Sequence, residues 1–260
     1  MNSILTLEKV SFRYGENVPD VLSCLTLAVP AGMVSAILGP NGTGKTTLLH
    51  IMLGLLKPAS GVVRLHGKPL SRYSRQRLSR MIGLVPQFER IPFNLSVSEY
   101  LLLGRAPYLR PFQVPGEEDT AHVTEALAAV GIDHLAQKPA QELSGGELQL
   151  AHIARIIVQK PRLLLLDEPT AHLDLRNQHR VLGLLKALRR QSITTVFTTH
   201  DPNAAIHAAD HFILMRGGKI ARQGSLQRVI TEENLSAMYH IPIRVASAEG
   251  RTLVVMETDP

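Results

Sequence analysis

One octapeptide restricts the fold of this 260-residue chain more than any other feature: Gly39-Pro40-Asn41-Gly42-Thr43-Gly44-Lys45-Thr46. It fits G-x-x-x-x-G-K-[ST], and its context is right for that pattern. A compact apolar run, Met33 to Leu38, precedes it, and a helical pattern from Lys45 to Leu56 follows, stopping before Pro58. Glycines let the backbone wrap closely, so that successive N–H groups and a helix N-terminus face an anion. Lys45 is then placed to reach the outer phosphates of a nucleotide, and Thr46 to offer its hydroxyl to Mg²⁺. A strand, a phosphate loop and a helix in that order belong to an α/β sheet with crossover helices.

The rest of the chain agrees with that sheet. Ile4 to Phe12 alternates as an opening strand, with Leu25 to Val29 as its neighbour. Val62 to Leu65, Met81 to Val85, Arg162 to Leu166 and Ile193 to Thr199 read as further strands. Phe212 to Met215 and Lys219 to Ala221 flank Gly217-Gly218, a hairpin signal, and a second hairpin is expected around Gly250 in the tail, Ile243 to Met256. Between Phe88 and Pro161 the pattern turns helical. Ser96 with Glu99 and Ser144 with Glu147 are capping-box signals, and Val123, Leu127 and Val130 share a helical face that Gly131 closes. The expected division is a cassette over 1–240, a helical subdomain inserted at 88–160, and a tail at 241–260.

Composition narrows the partners. The hydrophobic fraction of 45% supplies ample core, and the net charge of +6 suits anionic ligands. Aromatics at 4% and no Trp leave little surface for stacking bases, so no nucleic-acid partner is expected from the one basic cluster, Arg72, Arg75, Arg77 and Arg80 around Tyr73. The single cysteine, Cys24, excludes an internal disulfide and is expected in the core beside Val21, Leu22 and Leu25. The N-terminus lacks the basic start and apolar run of a signal peptide, and no apolar stretch is long enough to span a bilayer.

Two further segments carry chemistry. Leu163 to Leu166 is a buried strand that delivers Asp167 and Glu168 at its C-terminal end, where open α/β sheets bind ligands. Neighbouring side chains on a strand diverge, so Asp167 can assist Mg²⁺ while Glu168 faces an attacking water as general base. Leu143-Ser144-Gly145-Gly146-Glu147 is a second glycine-bearing helix start with a hydroxyl and free N–H groups, hence a second anion site far from the first.

These residues resemble, in order and spacing, the ATPases of ABC transporters. Gly39 to Thr46 is similar to the Walker A motif, Leu163 to Glu168 to Walker B with its catalytic glutamate, and Leu143 to Glu147 to the family signature. Gln87 falls where the Q-loop glutamine belongs, Ala171-His172-Leu173-Asp174 resembles the D-loop, His200 the switch histidine, and Tyr14 the aromatic that stacks on adenine. The match runs from Leu5 to about Gly224. The D-loop departs from the common Ser-Ala-Leu-Asp, and Glu147 stands where Gln is also frequent.

The resemblance implies a P-loop NTPase core with an antiparallel β subdomain and an inserted α-helical subdomain. It implies hydrolysis of ATP with Mg²⁺, in a head-to-tail homodimer whose Walker A and opposing signature sandwich each nucleotide. The implied nucleotide contacts are Tyr14, Gly39, Pro40, Asn41, Gly42, Thr43, Gly44, Lys45, Thr46, Thr47, Ser144, Gly145, Gly146, Glu147 and Asp174. Thr46, Gln87 and Asp167 would serve the metal, and Glu168, His200 and Gln87 the chemistry. Leu103-Gly104-Arg105-Ala106-Pro107-Tyr108 and the tail Thr231 to Tyr239 resemble ATPases of iron–siderophore, haem and cobalamin importers, with relatives serving molybdate or tungstate. That branch implies membrane permease partners, indirectly a periplasmic or extracellular substrate-binding protein, and a peripheral place on the cytoplasmic face of the membrane. Ile91, Phe93 and Leu95 are candidates to line the permease groove, with core packing the equal alternative for each. Two other readings stand beside it: a soluble ABC ATPase in DNA repair, translation or cofactor assembly, and a non-hydrolysing nucleotide-binding regulator.

Overall fold

A computed structural model describes residues 2–89, 91 and 93–256. Arg90, Pro92 and the last four residues, parts of the expected helical insert and tail, lie outside the described residues. The chain opens with β1 (Ser3–Phe12) and β2 (Leu22–Pro30), then β3 (Val34–Leu38), α1 (Lys45–Met52), β4 (Ser60–Leu65) and β5 (Lys68–Pro69). Next come α2 (Arg75–Met81), β6 (Ile82–Val85), α3 (Val97–Leu102), α4 (Glu117–Val130) and α5 (Gly145–Val158). They are followed by β7 (Leu163–Leu166), α6 (Leu175–Arg190), β8 (Thr194–Thr199), α7 (Pro202–Ala208), β9 (His211–Arg216) and β10 (Lys219–Gly224). The C-terminal part holds α8 (Leu226–Val229), α9 (Glu232–Tyr239), β11 (Ile243–Ala248) and β12 (Arg251–Met256).

The strands form the α/β arrangement expected from the sequence. A six-stranded sheet runs in the order β10-β9-β3-β8-β7-β6, parallel except for the β9–β10 hairpin. A separate antiparallel sheet has the order β2-β1-β4-β5, and β11 pairs with β12 alone. The β3 run is buried at every position, as a strand covered on both faces must be. One core lies between this sheet, α1 and the antiparallel sheet; the other packs α3 to α7 on the opposite face. Leu48, Leu49, Ile51 and Met52 of α1 are fully buried, each worth about 1.5–3 kcal/mol of burial.

Three expectations need correction. Helix α1 ends at Met52 rather than Leu56, because Gly54 turns the chain with φ +75°, and the Gly54 and Leu55 N–H groups close on Ile51 and His50 carbonyls. Met81 closes α2, a short helix capped by Ser74 within the basic cluster, instead of opening the next strand. Cys24 is exposed, not core. Lys9 and Cys24 both take positive φ where the β1–β2 register shifts, and that bulge re-aims a side chain which alternation alone would point inward.

The basic cluster is engaged in structure. Arg75 donates to the Gly54 carbonyl, Arg77 covers the Tyr73 ring, and Arg80 covers Tyr108 while donating to the Pro107 carbonyl.

Candidate functional site

Parallel strands side by side bring their C-terminal ends to one edge, and that edge carries the candidate residues. β3 ends in the loop 39–44, β6 leads to Gln87, β7 to Asp167 and Glu168, and β8 to His200. Gly44 is the N-cap of α1 at φ +93°, a conformation that favours glycine, and a Cβ there would press on Leu22.

Around this edge the polar groups interlock. Lys45 is buried; its Nζ donates to the Gly39 and Pro40 carbonyls at 2.8 and 3.1 Å and lies 3.2 Å from Glu168 Oε1. His200 Nδ1 lies 2.8 Å from Glu168 Oε2, so one carboxylate joins the lysine and the histidine. The Thr46 hydroxyl donates to Asp167 Oδ2 at 2.6 Å, and the Thr198 hydroxyl donates to Asp167 Oδ1 at 2.6 Å. Thr198 also accepts the Glu168 N–H at 2.8 Å. A single buried threonine thus orders both acids, and nothing in the sequence singled it out from the other threonines of β8. Glu168 holds φ +46°, a strained value for a glutamate.

Two adjoining clefts of about 340 and 360 Å³ open here, and both are lined by Asn41, Gln87 and Glu168. The first also holds Gly42, Gly44, Lys45, Thr46 and Thr47; the second holds His200. Tyr14 stands at the rim, 63% exposed, with its hydroxyl 3.1 Å from Thr47 Oγ1 and its ring edge-on to Phe12. The donor set beside Lys45, a hydroxyl and a carboxylate oxygen, fits a hard cation such as Mg²⁺.

The loop expected from the sequence to be a second anion site stands apart from this edge. Ser144 caps α5: its Oγ accepts the Glu147 N–H, and Glu147 Oε2 accepts the Ser144 N–H at 2.8 Å. Those hydrogen bonds hold the Glu147 carboxyl below the usual range. None of Ser144, Gly145, Gly146, Glu147 or Asp174 lines either cleft. Asp174 caps α6, accepting from Asn177 N at 2.7 Å and Asn177 Nδ2 at 3.2 Å. Gln87 connects to α5 through its neighbour Glu89, whose carboxylate accepts from Arg155 at 2.7 Å. Of the three apolar residues expected near Gln87, Phe93 is exposed, whereas Ile91 and Leu95 pack partly buried against the core.

Residues 22–171, more than half of the chain, match the ABC transporter family. The chain belongs to the ABC transporter family. It is an ATP-binding, ATP-hydrolysing subunit of that family, with the P-loop cassette fold. It is 39% identical over 251 residues to the ferric enterobactin transport ATP-binding protein FepC of Escherichia coli, covering 95% of this chain and 92% of that one. It is 37% identical over 245 residues to the molybdate import ATP-binding protein MolC of Haemophilus influenzae, with 94% and 90% coverage. Among solved structures, a metal-chelate type ABC transporter in an inward-facing conformation superposes with a TM-score of 0.86 at 35% identity, over 99% of this chain and 98% of that one.

The segment Leu103 to Tyr108, read in the sequence for its resemblance, has a structural task in this ABC cassette. Arg105 is buried against Asp119 at 2.7 Å and holds that carboxyl below its ordinary range. Its Nη1 donates to the Val158 carbonyl, and the Tyr108 hydroxyl donates to the Gln159 carbonyl at 2.9 Å. The loop thereby locks α4 to the end of α5. Among the described residues, no helix is long and apolar enough to cross a membrane.

Proposed function

We propose that this chain powers an importer of a metal-containing solute, an iron chelate or an oxyanion of the molybdate kind, as a head-to-tail homodimer bound to membrane permease subunits. The names of the relatives support the cargo class. The observation that carries the dimer is the separation of two anion-type loops within one chain: Ser144 to Glu147 lines no part of the cleft around Lys45. A second copy brings the missing loop, and each ATP is held between the Walker A loop of one chain and the signature of the other. The cassette spans 1–240 with its helical insert at 88–160, and 241–260 forms the tail. The assembly sits on the cytoplasmic face of the membrane and receives cargo through a periplasmic or extracellular binding protein.

In this reading Tyr14 stacks on adenine, and residues Gly39 to Thr47 wrap the phosphates. Lys45 exchanges its contacts with Glu168 and the loop carbonyls for the outer phosphates, which releases Glu168. Glu168 then takes a proton from the attacking water, and His200 orients that water and the γ-phosphate. Thr46, Asp167 and Gln87 would hold Mg²⁺, which would supply positive charge to neutralise the phosphoryl group. Asp174 contacts the partner across the interface. The Glu89–Arg155 ion pair passes movement of the Gln87 segment to α5, whose first turn is the signature.

Purification from native membranes tests this directly. A many-span integral membrane protein is expected to come down with the chain, and the assembly to hydrolyse ATP. Glu168→Gln is expected to bind ATP but turn it over at least about 10²-fold more slowly. Recovery only as a soluble particle with DNA or ribosomes contradicts transport, and normal hydrolysis by Glu168→Gln contradicts the assigned base.

A further inference from the structure

The segment after β10 is fastened to the loop that carries His200. The Tyr239 hydroxyl, at the end of α9, donates to the carbonyl oxygen of His200 at 2.7 Å. Three residues on, Asn203 in the first turn of α7 exchanges two hydrogen bonds with the backbone of Val254 on β12. Its Nδ2 donates to the Val254 carbonyl at 3.0 Å, and its Oδ1 accepts the Val254 N–H at 2.9 Å. A strap therefore grips residues 200–203 at two points, from two different elements.

The strap is itself anchored. Arg216, at the end of β9, donates to the Ala237 carbonyl at 2.7 Å, which ties α9 to the six-stranded sheet. Ser236 Oγ and Glu232 Oε1 accept the N–H groups of Ile243 and Val245, each at 3.0 Å, which ties β11 to α9. Within the held loop the Asp201 N–H donates to Thr199 Oγ1 at 3.0 Å and Asp201 Oδ1 accepts the Asn203 N–H at 2.8 Å, while the His200 side chain is 54% exposed. Yet His200 Nδ1 must stay 2.8 Å from Glu168. Burial, with Asp201 and Glu168 nearby, raises the pKa of the Tyr239 phenol, so it remains a protonated donor.

We propose that Tyr239 is a positioning residue for ATP hydrolysis: it fixes the backbone of His200, and so the imidazole against Glu168, with Asn203 and Val254 as a second anchor. The segment 232–256 is then part of the hydrolytic apparatus and not an appendage to it. The proposal rests on the reading of His200 and Glu168 as the hydrolytic pair.

The test uses the full-length chain in the assembly purified from membranes. Tyr239→Phe removes only the hydroxyl. It is expected to lower kcat about 5-fold, the equivalent of one ordinary hydrogen bond, with the KM for ATP changed less than about 2-fold. Amide hydrogen exchange over residues 200–204 is expected to speed up by a similar factor, with the strands of the six-stranded sheet unchanged. Asn203→Ala opens the second anchor and is expected to cost about 2- to 5-fold in kcat. An unchanged kcat in Tyr239→Phe overturns the proposal, and so does a loss of kcat without faster exchange at 200–204. His200→Ala measured in parallel separates the two readings. Normal turnover there removes the assigned role of His200, whereas impaired turnover there with normal Tyr239→Phe removes only the strap.

Discussion

Glu168 keeps a left-handed backbone, φ +46°, that costs about 1–3 kcal/mol for a residue of its kind. Thr198 helps hold it there: one hydroxyl accepts the Glu168 N–H and donates to Asp167. Thr198→Val preserves the shape but leaves a donor and an acceptor unpaired in a fully buried position. It is expected to destabilise the fold by about 1–3 kcal/mol and to reduce kcat about tenfold, whereas Thr198→Ser stays near wild type. Urea denaturation and steady-state hydrolysis check both. At this scale the sequence disclosed the charged residues that gather at the edge of the sheet, because Lys45, Asp167 and Glu168 carry charge at motif spacing. It concealed those that stand one hydrogen bond behind them. Thr198 is one of four buried threonines of β8, and the segment Thr231 to Tyr239 stood out in the sequence for its resemblance alone, which said nothing of the Tyr239 hydroxyl.

The elements were legible where period and caps agree. The capping boxes at Ser96 and Ser144 form as expected, and Gly131 closes α4 in the left-handed region. They were less legible where a single backbone torsion decides, as at Gly54 and at the Cys24 bulge. Helix α5 is capped at its first turn and, in the proposed reading, meets phosphate there, and substitution can separate the two tasks. Ser144→Ala removes the cap and is expected to cost about 1 kcal/mol of stability. Ser144→Asp keeps a capping oxygen but presents a negative charge to phosphate, so it is expected to melt near wild type and to lose hydrolysis. Gly146 permits the close approach of α5 to α6: a Cβ there would overlap the Asn177 side chain.

Helix α5 also carries the buried His152, and β9 begins with His211; burial lowers the pKa of both. At His152 the nearby Glu89 opposes that shift and Arg155 adds to it. Both imidazoles take up a proton less readily in the fold than in the unfolded chain, where histidine titrates near about pH 6.5. Stability is therefore expected to be full above that value and to fall as the pH drops through it. Thermal melts between about pH 7.5 and 5.5 check this, and His152→Leu is expected to flatten part of the slope.

Across the whole molecule, one edge of one sheet gathers the phosphate loop, both acids and His200, while the signature turn stands away from it on the helical part. In the proposed reading a single chain thus presents two halves of different sites. The most direct measurement is sedimentation of the Glu168→Gln chain with and without Mg·ATP. The expected result is a monomer alone, a dimer with ATP, and a return to monomer when Ser144→Arg is added. A chain that stays monomeric at saturating ATP, or a dimer indifferent to Ser144→Arg, contradicts the shared site.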